Sequence, residues 1–297
     1  MARHEPVAES RDARDSSVIH DIGYQRYGGV RLGRRHAVRA LYVASLRSAF
    51  GLGRGAKAKL LPFGLLGMLL LVGAVFALAR QLSGQGGGPT YYLGIPSTVG
   101  LLIVILLAVV CPELVSRDLG NKTLSLYFSR PISRADYAAA KLAAAVTVVM
   151  AALCAPMVVM LLGAVLQSGI GWRGVRDESW DFSVGVLNAG LYALVLATLS
   201  LLLASLTGRR AFAAGGLVAV FLVTTPVAGA GMEIGDGAAG ELAGLASPFT
   251  LLAGVQRWVF GEGVPVGPYG PVYGLAALLL AVGSAALLVQ RYRKVTA

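Results

Sequence analysis

The chain has 297 residues, of which 56% are hydrophobic and only 14% charged, against roughly 25% charged in soluble domains. Together with a mean hydropathy of +0.70, this excludes an ordinary soluble globule and points to an all-α membrane protein. The formal net charge of +11 does not argue for nucleic acid, because that reading needs a soluble basic face with interleaved aromatics.

Six windows contain no Asp, Glu, Lys or Arg: residues 60–79, 81–112, 142–172, 182–208, 211–232 and 263–290. At ~1.5 Å rise per residue, ~20 apolar residues cross a ~30 Å hydrocarbon core. Lipid leaves backbone groups no water to bond, so each crossing is expected to be a helix. The expectation is a six-helix transmembrane domain over residues 57–297, with spans at about 60–79, 95–115, 137–166, 183–206, 211–230 and 272–290.

In chain order, residues 1–33 are polar and Gly-bearing and read as a flexible cytosolic leader. More than fifty residues precede the first apolar window, which is therefore not read as a cleavable signal peptide. Residues 34–56 read as an interfacial segment. Val38, Leu41, Tyr42 and Ser45 share a helical stripe, Arg35, Arg39 and Arg47 recur at multiples of four to snorkel, and Gly51, Gly53 and Gly55 end the helix.

The third span, at ~30 residues, exceeds the bilayer, so it must tilt, kink at Pro156 or project into the cytosol near Lys141. Trp172 and Trp180 suit interfacial depth. Fifteen uncharged residues between Glu241 and Arg257 are too few to cross and too apolar to float free. A short helical segment over 242–260 is expected, lying in the outer leaflet or re-entering it. Cys111 and Cys154 sit in or beside spans and read as free thiols.

Orientation follows from charge. With the N-terminus inside, 22 of the 26 Lys and Arg fall on the cytoplasmic face, and the acidic residues split eight inside and seven outside. That is a strong positive-inside asymmetry, and it predicts a multi-pass protein of the plasma membrane with both termini cytoplasmic. High Ala, Gly and Arg suggest a GC-rich bacterial genome.

Several chemistries are absent. The sequence has no G-x-x-x-x-G-K-S/T phosphate loop, no H-E-x-x-H and no G-x-S-x-G. Its only histidines, His4, His20 and His36, precede the first span. No charge lies in the middle of a predicted span, whereas ion-coupled carriers usually need one. No catalytic residue, cofactor or metal is expected in the chain, so any energy should come from outside it.

Residues 113–141 stand apart, with eight charges in twenty-nine residues between apolar segments. Pro112 is expected to end the second span. Glu113 and Arg117 can pair across one turn, and Gly120-Asn121 marks a turn. Thr123–Ser129 is a short apolar stretch suited to a partner's groove. Arg130-Pro131-Ile132-Ser133-Arg134 makes a rigid basic corner, and Ser133 is a suitable N-cap with Asp136 in the first turn. This segment resembles the permease subunits of type-2 ABC transporters. The family pattern has an acidic residue, Gly-Thr-Leu, then Ser-x-Pro-Ile/Val-Ser-Arg, an aromatic or aliphatic residue and Gly-Lys. It is met by Asp118, Thr123-Leu124, Ser129 to Arg134, Tyr137 and Lys141, with Lys122 and Ala140 replacing glycines. The segment SPFTLLAGVQRW also resembles the family's outer segment.

The resemblance implies a coupling loop that docks on a separate ATP-binding subunit, present in two copies and carrying ATP and Mg. It implies pairing with a second permease, identical or paralogous. Coupling would involve Glu113, Arg117, Asp118, Thr123, Leu124, Arg130, Pro131, Ser133, Arg134, Tyr137 and Lys141. The charge-free spans and the outer segment favour a hydrophobic or amphipathic substrate; export is what the resemblance, to an exporter class, implies, and composition alone leaves import open. The alternatives are a non-transporting membrane scaffold that recruits a cytosolic partner through the same loop, and a secondary transporter.

Overall fold

In the computed structural model the described residues are 32–84, 88–121, 124–129, 131–167, 171–264 and 266–294. All of the predicted leader except Leu32 and Gly33 lies outside them. Among the described residues, six helices are long and apolar enough to cross a membrane, as the charge-free windows predict, and no strand occurs.

The order is α1 (Arg34–Ala49), α2 (Ala56–Ser83), short α3 (Pro89–Leu93) and α4 (Ile95–Thr98), and α5 (Gly100–Cys111). A π-helical turn (Pro112–Ser116) carries α5 into α6 (Arg117–Gly120), followed by α7 (Leu124–Phe128), α8 (Arg134–Val165) and α9 (Trp172–Ser205). The chain ends with α10 (Arg210–Ile234), α11 (Ala238–Ala243), α12 (Pro248–Phe260) and α13 (Gly270–Lys294).

The helix ends differ from the charge-free windows in a consistent way. The span expected at 60–79 runs over 56–83, and the one expected at 183–206 starts at Trp172. Charge stops an apolar window but not a helix, because long side chains can carry their heads to water while the backbone stays hydrogen-bonded. The connection left between the spans expected at 137–166 and 183–206 is therefore largely the first turns of α9. Similarly, the span expected at 137–166 covers 134–165, that at 211–230 covers 210–234, and that at 272–290 covers 270–294. The helix expected within 34–56 stops at Ala49, where Gly51 and Gly53 take φ of +66° and +85°, a region that favours glycine.

The second span departs most. Residues 95–98 form a separate short helix, the span runs over 100–120, and Pro112 does not end it. Proline offers no N–H to the carbonyl four residues back, and its ring crowds that carbonyl. The wider turn at Pro112–Ser116 absorbs the mismatch, and the helix continues to Gly120.

The central helices are α8 and α9. α8 packs against α1, α2 and α9, and α13 packs on α9. Leu107, Leu114, Tyr137, Leu153, Met157, Tyr192 and Leu201 are buried between the helices. α2 buries only Pro62, Leu69 and Gly73 and exposes Leu71, Leu78 and Leu82, an outer surface that suits lipid. Gly73 sits against α8 so closely that a Cβ there would stand 2.5 Å from the Pro156 carbonyl oxygen and 2.7 Å from its Cα. Since backbone cannot step aside as a side chain can, Gly73→Ala should cost about 1–3 kcal/mol. A lowered unfolding midpoint of the purified protein is the expected readout. An unchanged midpoint would show that the two helices are not held at this distance.

At the end opposite α7, Arg80 closes α2 and reaches Glu178 of α9 with two hydrogen bonds of 2.6 and 2.8 Å. The Tyr92 hydroxyl donates to the same carboxylate at 2.5 Å. Burial, and then this hydrogen bond, hold the Tyr92 phenol far above its ordinary titration range, so it remains a donor. Deeper in the bundle, Asn188 of α9 donates to Gln256 of α12 at 3.0 Å. α12 lies within the predicted short segment, buries Leu251, Leu252 and Val255, and packs on α13.

Candidate functional site

The end carrying α7 gathers most of the residues singled out in the sequence. The corner before α8 forms for local reasons. Ser133 is the N-cap: its Oγ accepts from the Asp136 N–H at 3.1 Å, and the Asp136 carboxylate accepts from the Ser133 N–H at 3.0 Å. Arg34 then grips the Asp136 carboxylate at 2.7 and 2.8 Å, fastening the first turn of α1 to the first turn of α8. Tyr42 and Thr147 bond at 3.0 Å farther along the same pair. Loss of the cap in Ser133→Ala should cost about 1 kcal/mol. Faster amide exchange over residues 134–138, with the rest of α8 unchanged, is the expected signature.

Asp118, Tyr137 and Lys141 meet one another. The Tyr137 hydroxyl donates to Asp118 at 2.6 Å and Lys141 Nζ lies 2.9 Å from the same carboxylate. Lys141 and Tyr137 are both buried, with the ammonium 5.4 Å from the ring centre. Tyr137 also packs edge-on against Tyr292 of α13, centroids 5.1 Å apart, and Arg134 Nη1 donates to the Arg293 carbonyl. The beginning of α8 is thus tied to the end of α6 and to the end of α13.

α7 sits on this base. Leu124 is buried, and the Tyr127 ring lies 5.5 Å from that of Tyr137. Leu126, in contrast, is 68% exposed, and Ser129 and Pro131 are exposed beside it. Thr123 and Arg130, two of the sequence candidates, lie outside the described residues.

Glu113, at the start of the π-helical turn, pairs with Arg117 at 2.7 Å, the i,i+4 contact that spacing predicts. It also pairs with Arg54 and Arg210, each at 2.8 Å. Neither could be expected from local spacing, since they come from the turn before α2 and the first residue of α10. The exposed Arg35, Arg39 and Arg47 lie on α1, whose Leu41, Ser45 and Ala49 are buried. Leu41 and Ser45 belong to the predicted stripe.

In the other half of the bundle a cavity of about 500 Å³ opens between α5, α10 and α12. Leu101, Val104, Phe221 and Phe249 make its walls apolar, and Thr225 and Thr250 lie among them.

A bundle with six helices long and apolar enough to span a bilayer, and a charged, aromatic-anchored turn at one end, defines a multi-pass membrane protein. A family model described as ABC-2 family transporter protein matches residues 20–250, well over half of the chain, which therefore belongs to that family and is an ABC transporter permease. No curated protein matches it.

Proposed function

We propose that this permease is an exporter of hydrophobic or amphipathic molecules, driven by a separate ATP-binding subunit that docks on residues 113–141. Two such subunits, carrying the ATP and Mg, serve a pair of permeases, either two copies of this chain or this chain and a paralogue. In this reading α7 faces the cytoplasm, both termini are cytoplasmic and the membrane is the plasma membrane. The charge asymmetry supports it, with 22 of 26 basic residues on that face.

The observation that carries the docking assignment is Leu126. An apolar side chain 68% exposed, on a helix whose Leu124 and Tyr127 are anchored, offers a partner a fixed hydrophobic contact. Closure of the ATP-binding subunits would push α7. The contacts of Tyr137, Lys141 and Asp118 would carry that push into α6 and α8. Asp118, Tyr137 and Lys141 thus transmit, while Leu126, Ser129, Pro131 and the Arg130–Arg134 corner make the contact. The apolar cavity between α5, α10 and α12 supports the proposed substrate class.

The test is co-purification with an ABC ATP-binding protein encoded beside this chain, followed by ATPase measurement with candidate amphipaths. A stable complex whose ATPase rises severalfold with a ligand is expected. A permease that retains no ATP-binding subunit, or that moves substrate in liposomes on an ion gradient alone, would contradict it.

A further inference from the structure

Among the described residues, Glu113 is the only acidic partner of three arginines. Arg54, Arg117 and Arg210 come from three parts of the chain and converge on one carboxylate, leaving the cluster with an excess of about two positive charges. Their donors are mostly unspent. Among the described residues, Arg54 adds one hydrogen bond, to the Ser48 carbonyl at 2.6 Å. Arg117 and Arg210 meet Glu113 through Nη1, at 2.7 and 2.8 Å. A guanidinium carries five N–H groups in a fork that fits phosphate oxygens.

Accessibility matches. Glu113 is 11% exposed, whereas Arg54, Arg117 and Arg210 are 30%, 39% and 50% exposed. The carboxylate thus lies beneath its arginines, which present their free edges outward. A second observation agrees. Arg210 is the first residue of α10, a helix of 25 residues whose N-terminus has no side-chain cap and no acidic residue in its first turn. Its free N–H groups and the positive end of its dipole favour an anion there. The α6 end adjoins the approach to α10, since a Cβ on Gly120 would stand 2.8 Å from the Gly208 carbonyl oxygen.

We propose that Arg54, Arg117 and Arg210, together with the N-terminus of α10, bind a phosphate group at the membrane surface. The cluster stands where three spanning helices begin or end, the depth at which phospholipid headgroups lie, and basic pockets between spanning helices are suited to such headgroups. Glu113 keeps the arginines together when the site is empty, and a bound phosphate takes the donors it leaves unused. The site does not depend on which face of the membrane it occupies, nor on the docking of an ATP-binding subunit.

The full-length permease, purified in detergent, should retain phosphatidylglycerol in native mass spectra in preference to phosphatidylcholine. R54Q/R210Q should weaken that retention by about tenfold or more. R35Q/R39Q, with the same loss of charge on exposed α1, should retain the lipid as the parent does. Equal loss in the two double variants, or no preference for the anionic lipid together with no stabilisation by inorganic phosphate, would overturn the site. If R54Q/R210Q does not fold, E113Q decides. Removing the carboxylate should tighten phosphatidylglycerol retention if the arginines bind phosphate, and leave it unchanged or weaker if they serve only Glu113.

Inorganic phosphate distinguishes the source. Retention of the lipid in millimolar phosphate assigns the site to a headgroup. Stabilisation of the parent, but not of R54Q/R210Q, by phosphate without any lipid dependence assigns it to a free anion. Absence of both effects would contradict the proposal.

Discussion

Charge reversal in R130E/R134E should abolish stimulation of the partner's ATPase while the permease still inserts and reaches the membrane in normal amounts. Arg134 opens α8, and its side chain reaches the Arg293 carbonyl, which places Arg134 at the rim of the proposed docking surface. Disrupting a desolvated charge pair at an interface costs about 2–5 kcal/mol, which weakens binding by roughly thirty- to several-thousandfold. Reversal adds repulsion to that loss. Insertion should survive, because the spans depend on their apolar windows rather than on this corner. L126D offers an independent check, since it places a charge where an apolar contact is expected and disturbs no anchored residue. Undiminished capture of the ATP-binding subunit by both variants would remove the docking assignment.

The second large effect is expected far from the docking surface. Glu178→Gln should destabilise the folded bundle by about 3–5 kcal/mol, the usual consequence of leaving one member of a buried ion pair without its partner. Arg80 and Glu178 have side chains only 11% and 5% exposed, so water can do little to replace the lost charge. Tyr92, which donates to Glu178 at 2.5 Å, keeps a weaker acceptor in the amide. Three elements part company when this carboxylate goes: the end of α2, the start of α9 and α3. Asp177→Asn, one residue away with a side chain 69% exposed, should leave the unfolding midpoint nearly unchanged. R80M/E178M should recover much of the loss, because matched apolar replacement removes both the charge and its desolvation cost. An E178Q midpoint equal to that of the parent would show that the pair is solvated in the membrane.

These two sites mark how far the sequence could be read. Ser133 as an N-cap and Glu113 with Arg117 were legible because the partners sit within one helical turn of each other. The six spans were legible because a bilayer admits few alternatives to an apolar helix. Arg80 and Glu178 were not, since 98 residues separate them and each alone looks like an ordinary charge at the edge of a window.

The same limit hid the convergence of Arg54 and Arg210 on Glu113, and the clasp of Arg34 on Asp136. Lys141 shows the opposite difficulty. A lysine in a charge-rich segment suggests an outward grip, yet this one is buried against Asp118 and the Tyr137 ring. Pro112 misled for a local reason, because the widened turn that tolerates it leaves no trace in composition. Leu126 was visible only as part of an apolar stretch, and its exposure depends on Leu124 and Tyr127 taking the inward positions.

The account rests on the turn around α7 being a cytoplasmic handle grasped by a separate ATP-binding subunit. A single cysteine, Ser129→Cys, placed in a chain whose Cys111 and Cys154 are replaced by serine, tests this with a membrane-impermeant maleimide. The account predicts no labelling in intact cells, ready labelling in inside-out vesicles, and protection when the ATP-binding subunit is added. Labelling of that cysteine on intact cells would contradict it.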